Sequence, residues 1–285
     1  MNVVWLIFAI ILGSGRSVFS KRMTSGTDSK KLFYFNQFLL FLSGTVSVFL
    51  CNIKAFATAT AKTFIYGAIF GIVTIIAQWC YTVALNKGPT SICAMIYSFG
   101  FILPTVSGAL FWNEPFGITT FIGLFIAVSA IIVSSFTNKT DSKKEIGFIL
   151  PNLIAMLASG GLGILQKVHQ TSDDANNLDA FMVVAFGLAT IISFTMIFFT
   201  KQNSEKNALK LSINPILAGA SFGAVSLVNT MLAGRMESAV LFPTLNIGVM
   251  MACLISGIII FKEKPTKAQI IAFGLGIAAI LILSI

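Results

Sequence analysis

The stretch GALFWNEPFGITTFIG at residues 108–123 is matched 149 residues later by GIIIFKEKPTKAQIIA at residues 257–272. In each stretch a short turn, Asn113-Glu114-Pro115 or Glu263-Lys264-Pro265, ends one long apolar segment and opens another. Such a repeat predicts that the chain consists of two copies of one structural unit. Membrane proteins built from two such units are usually transporters.

A second match extends the duplication toward the start of each unit. It aligns GSGRSVFSK at residues 13–21 with SGGLGILQK at residues 159–167. We therefore expect a first five-helix repeat over residues 1–137 and a second over residues 146–285. Because five is an odd number, the second repeat should be inverted in the membrane relative to the first.

The composition excludes a soluble protein. Hydrophobic residues make up 56% of the chain, charged residues 10%, and the mean hydropathy is +0.91, whereas soluble domains carry roughly a quarter charged residues. Apolar runs long enough to cross a bilayer as helices predict an all-α polytopic membrane protein with ten transmembrane helices. They lie near residues 3–20, 33–53, 63–85, 90–112, 116–136, 147–167, 179–200, 213–234, 239–261 and 267–284.

The charged residues predict the orientation of these helices. Of the 19 Lys and Arg residues, 14 lie in the loops after the odd-numbered runs and 4 in the loops on the opposite side. Basic loops stay in the cytoplasm, so both termini are expected outside. Because the net charge of +9 is confined to short loops between apolar runs, no nucleic-acid partner is expected.

The sequence contains no catalytic or cofactor-binding motif. Cys51, Cys80, Cys93 and Cys253 are scattered through apolar runs without metal-ligand spacing, which is typical of buried small side chains. A phosphate loop and a nucleophile–base pair are also absent. We therefore expect neither an enzyme nor a cofactor.

Polar side chains inside the apolar runs predict a substrate site. Gln78, Tyr81 and Thr82 share one face of the third helix, as Ser226, Asn229 and Thr230 do on the eighth. The 149-residue offset also places Tyr97 on Asn246. Single Ser, Thr and Asn residues can instead hold helices together. The candidate substrate-binding residues are Arg16, Asn36, Gln78, Tyr81, Tyr97, Asn229 and Asn246.

Arg16 is the charge that falls within a predicted span. It lies five residues before Lys21, so its side chain could reach the interface, face the substrate or make a structural pair. Glu114 and Glu263 lie at helix ends, where we expect interfacial rather than ligand-binding roles. Without a carboxylate inside a span, exchange of protons for cationic drugs is disfavoured.

The paired turns and the first-helix pattern Gly13-Ser14 to Lys21 resemble the EamA-like branch of the drug/metabolite transporter superfamily. The family's turn has Glu followed nine residues later by Gly, as Glu114 and Gly123 are; Glu263 is followed by Ala272 instead. The resemblance implies a central cavity lined by helices one to four and six to nine. It also implies cytoplasmic termini, in contrast to the charge distribution.

These observations predict a secondary transporter of the plasma or inner membrane that moves a small organic metabolite by alternating access, with export as the expected direction. The metabolite could be neutral, zwitterionic or anionic. A broad-specificity drug efflux protein and a non-transporting membrane partner or lipid-handling protein are the alternatives. The expected partners are a small-molecule substrate and the lipid bilayer, and a homodimer is possible.

Overall fold

A computed structural model describes residues 2–24, 29–51, 59–88, 90–135, 142–200, 212–262 and 266–283. These ranges fold into α-helices and two short 3-10 turns, Phe99–Phe101 and Ala175–Asn177, without a strand. The helices are α1 (Asn2–Thr24), α2 (Lys30–Cys51), α3 (Ala61–Lys87), α4 (Thr90–Ser98), α5 (Ile102–Phe111), α6 (Ile118–Ser135), α7 (Ser142–Gln170), α8 (Leu178–Phe199), α9 (Ile213–Ala233), α10 (Ser238–Phe261) and α11 (Lys267–Leu283).

The helices are those of a multi-pass integral membrane protein. Eight segments are long and apolar enough to cross a bilayer, with α4 and α5 together forming one of them, and α6 and α11 add two shorter apolar helices. Large apolar side chains cover the outside of the bundle, as Phe111 at 74% and Phe199 at 84% exposure illustrate. Such a surface suits lipid rather than water. The ten predicted runs correspond to these eight spans and two shorter helices.

The fourth predicted run is not one continuous helix. It is divided by the 3-10 turn Phe99–Phe101, which lies just before Pro104. Proline lacks the N–H that would bond to the carbonyl of Gly100, and its ring crowds that carbonyl. Gly100 also lies against α7, where an added Cβ would be 2.6 Å from the Met156 carbonyl oxygen. The chain therefore changes its helical geometry at a point where its backbone packs closely on α7.

Contacts between the first five and the last five predicted spans organise the bundle. Helix α3 packs on α7 and α8, α1 on α9 and α10, and α2 on α8 and α9. The divided span α4–α5 packs on α10 and α7, and α6 packs on α11. Aromatic rings fill the place where α2, α8 and α9 meet, with Phe186 centred 6.4 Å from Phe41 and 5.2 Å from Phe222.

Helix α3 defines the two ends of the bundle. Its N-cap residue, Thr60, donates a hydrogen bond of 2.6 Å to Asp174, just after α7, so α3 and α7 run antiparallel. At the C-terminal end of α3, the Lys21 amine of α1 donates to the carbonyls of Leu85 and Gly88. We call this the Lys21 end. The opposite end contains the turn after α5 and is called the Glu114 end. The 27 residues of α3 separate them by roughly 40 Å.

The two turns that the sequence comparison aligns share a backbone conformation where both are described. Asn113 and Lys262, which the 149-residue offset aligns, both adopt left-handed φ values, 49° and 55°. Close to them, the Gly108 carbonyl accepts the N–H of Trp112, and the Gly257 carbonyl, which the offset aligns with it, accepts the N–H of Lys262. Both turns thus place a left-handed residue directly after the helix or at its cap. Glu263, the predicted counterpart of Glu114, lies outside the described residues.

Candidate functional site

A cavity of about 110 Å³ lies between α1, α3, α4–α5, α7, α9 and α10. The resemblance to the EamA-like branch implied that α2 and α8 would also line it, but neither contributes a described lining residue. Both pack on the outer side of α9 and α3 instead. The polar lining side chains are Arg16, Ser17, Tyr81, Tyr97, Ser98, Ser159, Gln166, Ser226, Asn229 and Asn246.

Arg16 points into the bundle rather than to the membrane interface. Only 8% of its surface is exposed. Its Nε and one terminal nitrogen donate to the Gln78 side-chain oxygen at 3.0 and 2.6 Å, and the other terminal nitrogen donates to the Tyr97 hydroxyl at 3.4 Å. The guanidinium is thus held at the cavity wall.

Aromatic rings surround this guanidinium. Its central carbon lies 3.6 Å from the ring centre of Phe222, and 5.7 and 5.5 Å from those of Tyr81 and Tyr97. The two tyrosine rings contact each other at 4.6 Å, and the Tyr81 hydroxyl is within 3.0 Å of the Ser17 hydroxyl. Cation–π attraction is strongest when the cation is desolvated, so Phe222 stabilises the buried charge.

Gln78 occupies a different place from the one the sequence predicted. It is fully buried and is not among the lining residues. Its amide nitrogen donates to the Thr82 hydroxyl, 3.1 Å away and one helical turn along α3. Gln78 therefore supports Arg16 from behind the wall.

Asn229 and Asn246 bring the second half of the chain to the same cavity. The side-chain amide of Asn246 donates to the Phe242 backbone carbonyl at 2.9 Å, and the backbone carbonyl of Asn246 accepts from the Ser98 hydroxyl at 3.1 Å. The side-chain oxygen of Asn229 is buried without a hydrogen-bond partner. Since buried polar atoms usually have partners, this oxygen is available to a ligand.

Asn36 is the predicted site residue that lies away from this cavity. It sits on α2 and donates to the Met23 carbonyl at 3.4 Å. Together with Lys30, Tyr34 and Lys87 it lines a separate pocket near the Lys21 end. The structure thus brings Arg16, Tyr81, Tyr97, Asn229 and Asn246 together, with Gln78 behind them, and leaves Asn36 apart.

Sequence reasoning missed Phe222. The aromatic ring under Arg16 belongs to an apolar helix, where a phenylalanine gives no contrast with its neighbours. A signal was nevertheless present, because Phe222 lies four and seven residues before Ser226 and Asn229. It therefore shares their helical face.

A buried ion pair closes the Glu114 end. The Glu114 carboxylate contacts the amine of Lys167, and the two side chains are 11% and 10% exposed. Glu114 also accepts from the backbone N–H of Ser238 at 2.7 Å and from its hydroxyl at 3.2 Å. We call these three residues the Glu114 latch. It joins the turn after α5 to the end of α7 and the start of α10.

Two neighbouring contacts strengthen the latch. The Trp112 indole N–H donates to the Thr171 hydroxyl at 3.0 Å, and the Lys167 amine donates to the Met236 carbonyl at 3.3 Å. Gly108 leaves room for the start of α10, since an added Cβ would lie 2.8 Å from the Cβ of Ser238. Glu114 is thus at a helix end, as predicted, and it also ties the two halves of the chain together.

No group of three or more His, Cys, Asp or Glu side chains that could hold a metal occurs within the described ranges. The candidate site therefore consists of one cation, aromatic rings and uncharged hydrogen-bonding groups. Groups of these kinds are the ones that hold a small polar solute in typical ligand sites.

Comparison with known proteins agrees with the fold. The model of the family described as "Sugar transport protein" matches residues 8–285. A solved structure described only as "Crystal structure of protein" superposes with a TM-score of 0.65, covering 99% of this chain and 95% of its own at 11% identity. That identity shows a shared fold alone. None of the curated proteins compared with the chain matches it.

Proposed function

The chain belongs to the Sugar transport protein family, a transporter family of the drug/metabolite type, and on this premise we propose that it moves a small hydroxylated solute, a sugar or sugar derivative, across the membrane by alternating access. The observation that carries the proposal is the polar cavity at the centre of an apolar helix bundle. Polar groups are costly inside a membrane unless they face a cavity or a partner. Hydroxyl-rich solutes need the hydrogen-bonding groups found there.

We propose further that the chain consists of two inverted halves with the site between them. In such an arrangement α1, α2, α3 and α6 correspond to α7, α8, α9 and α11. The packing supports this, because the contact of α3 with α7 then corresponds to the contact of α9 with α1, and both are present. The same correspondence maps the pairs α2–α8 and α6–α11 onto themselves. Alternating access by rocking of two halves around a central site uses such an arrangement.

The size of the cavity and the Glu114 latch support a conformational change. The cavity of about 110 Å³ is smaller than the ~150 Å³ cavity that holds benzene and the ~300 to 1,000 Å³ of typical ligand sites. A monosaccharide therefore requires the cavity to widen. Opening the Glu114 end would break the contacts of Glu114 with Lys167 and Ser238, so the latch acts as a gate at that end.

Arg16 argues against the alternative of cationic drug efflux. A cationic drug in this cavity would lie beside the guanidinium without an acidic group among the described lining residues to balance the charges. Like charges at such distances repel strongly when solvent is excluded. The aromatic walls could stack on drugs, but their placement around Arg16 favours solutes that are neutral or negative.

Reconstitution of the purified chain into liposomes tests the proposal. Counterflow of radiolabelled hexoses, pentoses and hexuronates should show accumulation of at least one of them. Replacing Asn229 or Asn246 by Ala should lower the transport rate roughly two- to tenfold, the effect of losing one uncharged hydrogen bond. The matched control is Thr195→Ala on α8, which removes a hydroxyl that is exposed outside the bundle.

The absence of counterflow for every solute, together with no ligand-dependent thermal shift, would favour the non-transporting alternative and overturn the proposal. The direction of transport requires a separate measurement. Right-side-out and inside-out vesicles carrying the same gradient should differ in rate. Faster movement outward would support the export expected from the sequence, and faster movement inward would contradict it.

A further inference from the structure

Arg16 carries a positive charge that no described neighbour balances. The described residues that line the cavity include no Asp or Glu, and the partners of Arg16 are the neutral side chains of Gln78 and Tyr97. Glu114 and Asp173 make their ion pairs at the Glu114 end, with Lys167 and Lys62. The charge of Arg16 is therefore not compensated by any described residue that lines the cavity.

The guanidinium keeps hydrogen-bonding capacity toward the cavity. Arginine has five N–H donors, and the contacts with Gln78 and Tyr97 use three of them. The remaining two donors lie in the plane of the guanidinium, and Phe222 covers one of its faces. A planar acceptor with two oxygens fits this arrangement.

The partner of Arg16 on α3, Gln78, has a neutral side chain. Its amide oxygen accepts two hydrogen bonds from Arg16, as one oxygen of a glutamate in the same position could. A neutral amide fixes the direction of the guanidinium and leaves its charge unneutralised. Gln78 thus orients the Arg16 guanidinium and leaves its positive charge free to interact with a solute that enters the cavity.

We propose that the central site takes a singly charged carboxylate solute and that Arg16 binds the carboxylate; this rests on the transport function proposed above. One guanidinium balances one negative charge, whereas a phosphate ester carries about −1.5 to −2 and would leave an excess of buried negative charge. The aromatic walls suit the C–H faces of a sugar ring. Asn229 and Asn246 offer uncharged partners for its hydroxyls. A sugar acid has all three features.

Glucose and glucuronate form the matched pair of probes, because they share a ring and differ in a hydroxymethyl group against a carboxylate. Binding to the purified full chain in detergent is measured by calorimetry, and counterflow in liposomes follows. Wild type should bind glucuronate at least tenfold tighter than glucose, the usual effect of a charge-assisted hydrogen bond. Arg16→Gln should remove this preference and change glucose binding far less.

A second variant keeps the test decisive if Arg16→Gln fails to fold. Gln78→Glu preserves the shape of the side chain and supplies Arg16 with a permanent counter-ion. It should raise the unfolding temperature and lower the affinity for glucuronate at least tenfold. Unchanged glucuronate binding in Gln78→Glu would overturn the assignment of Arg16.

The outcomes separate this inference from the function on which it rests. If wild type binds and transports glucose as well as or better than glucuronate, the preference for an anion is refuted and sugar transport stands. If neither compound nor any other sugar binds or moves, the transport function itself fails. Tight glucuronate binding that disappears in both variants supports the inference.

Discussion

Arg16 shows how a membrane-spanning helix can carry a buried charge. An arginine at the centre of such a helix costs about 2.5 to 3.5 kcal/mol on insertion scales. A hydrogen bond from a charged donor contributes about 1.5 to 3 kcal/mol, and a desolvated cation–π contact about 2 kcal/mol. The Gln78 and Phe222 contacts are therefore large enough to offset the cost. Arg16 can stay buried without an acidic partner.

Two asparagines with similar local chemistry provide a test at the level of single residues. Asn229 and Asn36 each have a buried side-chain oxygen without a partner, but only Asn229 lines the central cavity. We expect Asn229→Ala to leave the unfolding temperature nearly unchanged, since no hydrogen bond to its oxygen is lost. Its transport rate should fall roughly two- to tenfold.

Asn36→Ala is the matched control and should transport like wild type. Counterflow rates and thermal unfolding of both variants are measured in parallel. Equal loss of transport in the two variants would show that the central cavity alone does not define the site.

The sequence predicted some residues of this candidate site and not others. Arg16, Tyr81 and Asn229 stand out because a polar side chain in an apolar membrane helix is costly unless it has a partner. Helical spacing then predicts the face of the helix on which each lies. Phe222 has no such contrast. Whether Gln78 touches the solute or supports Arg16 depends on side-chain directions that only packing fixes.

At the level of helices, the contact of the divided fourth span with α7 depends on glycine. An added Cβ at Gly100 would lie 2.6 Å from the Met156 carbonyl oxygen and 3.1 Å from the Gly160 nitrogen. Both are backbone atoms and cannot turn aside. Gly100→Ala should therefore force the helices apart and destabilise the protein by about 1 to 3 kcal/mol. Thermal unfolding in detergent measures the change.

Gly187→Ala on α8 is the control for this substitution. Nothing lies within 4 Å of an added Cβ at Gly187, and alanine favours a helix over glycine by up to about 1 kcal/mol. This variant should be as stable as wild type or slightly more stable. A Gly100→Ala protein that unfolds at the same temperature as Gly187→Ala would show that the fourth span repacks freely.

The sequence predicted the membrane spans because hydropathy decides them, but hydropathy alone does not show the break in the fourth. A proline within a span does not by itself interrupt it, since Pro151 and Pro243 lie inside the continuous helices α7 and α10. At Pro104 the additional factor is the close approach of Gly100 to α7. That approach is a property of the packed bundle, and it leaves no mark in local hydropathy.

For the whole molecule, the Glu114 latch is expected to contribute to stability as well as to the gate proposed above. Lys167→Met leaves the Glu114 carboxylate buried without its cation, which should cost about 3 to 5 kcal/mol. Adding Glu114→Gln should restore much of the stability, because neither charge is then unpaired and the amide oxygen still accepts from Ser238. A double variant as unstable as Lys167→Met would contradict the pairing.

The same latch predicts a change in access to the cavity. Gln166 lines the cavity one residue before Lys167, so a cysteine at position 166 should react slowly with a thiol reagent from the Glu114 end. In the Lys167→Met background the reaction should accelerate. Equal rates in both backgrounds would show that the latch holds the fold together without gating the cavity.

The orientation of the molecule in the membrane decides which side the proposed gate faces. The excess of Lys and Arg in the loops at the Lys21 end predicts that this end is cytoplasmic and the Glu114 end is outside, whereas the resemblance to EamA-like transporters implies the reverse. Phe116, at 42% exposure, follows the Glu114 turn. Lys87 is exposed at the end of α3, roughly 40 Å away along that helix.

Single cysteines at these two positions, in a chain freed of its native cysteines, distinguish the orientations. A membrane-impermeant maleimide should label Phe116→Cys in intact cells and Lys87→Cys only in inside-out vesicles. The opposite pattern would place the Glu114 latch in the cytoplasm. Since Lys21 and Lys167 lie at opposite ends of the bundle, either result also shows which of them is on the outer side, and therefore the side from which the thiol reagent must be added in the Gln166 test.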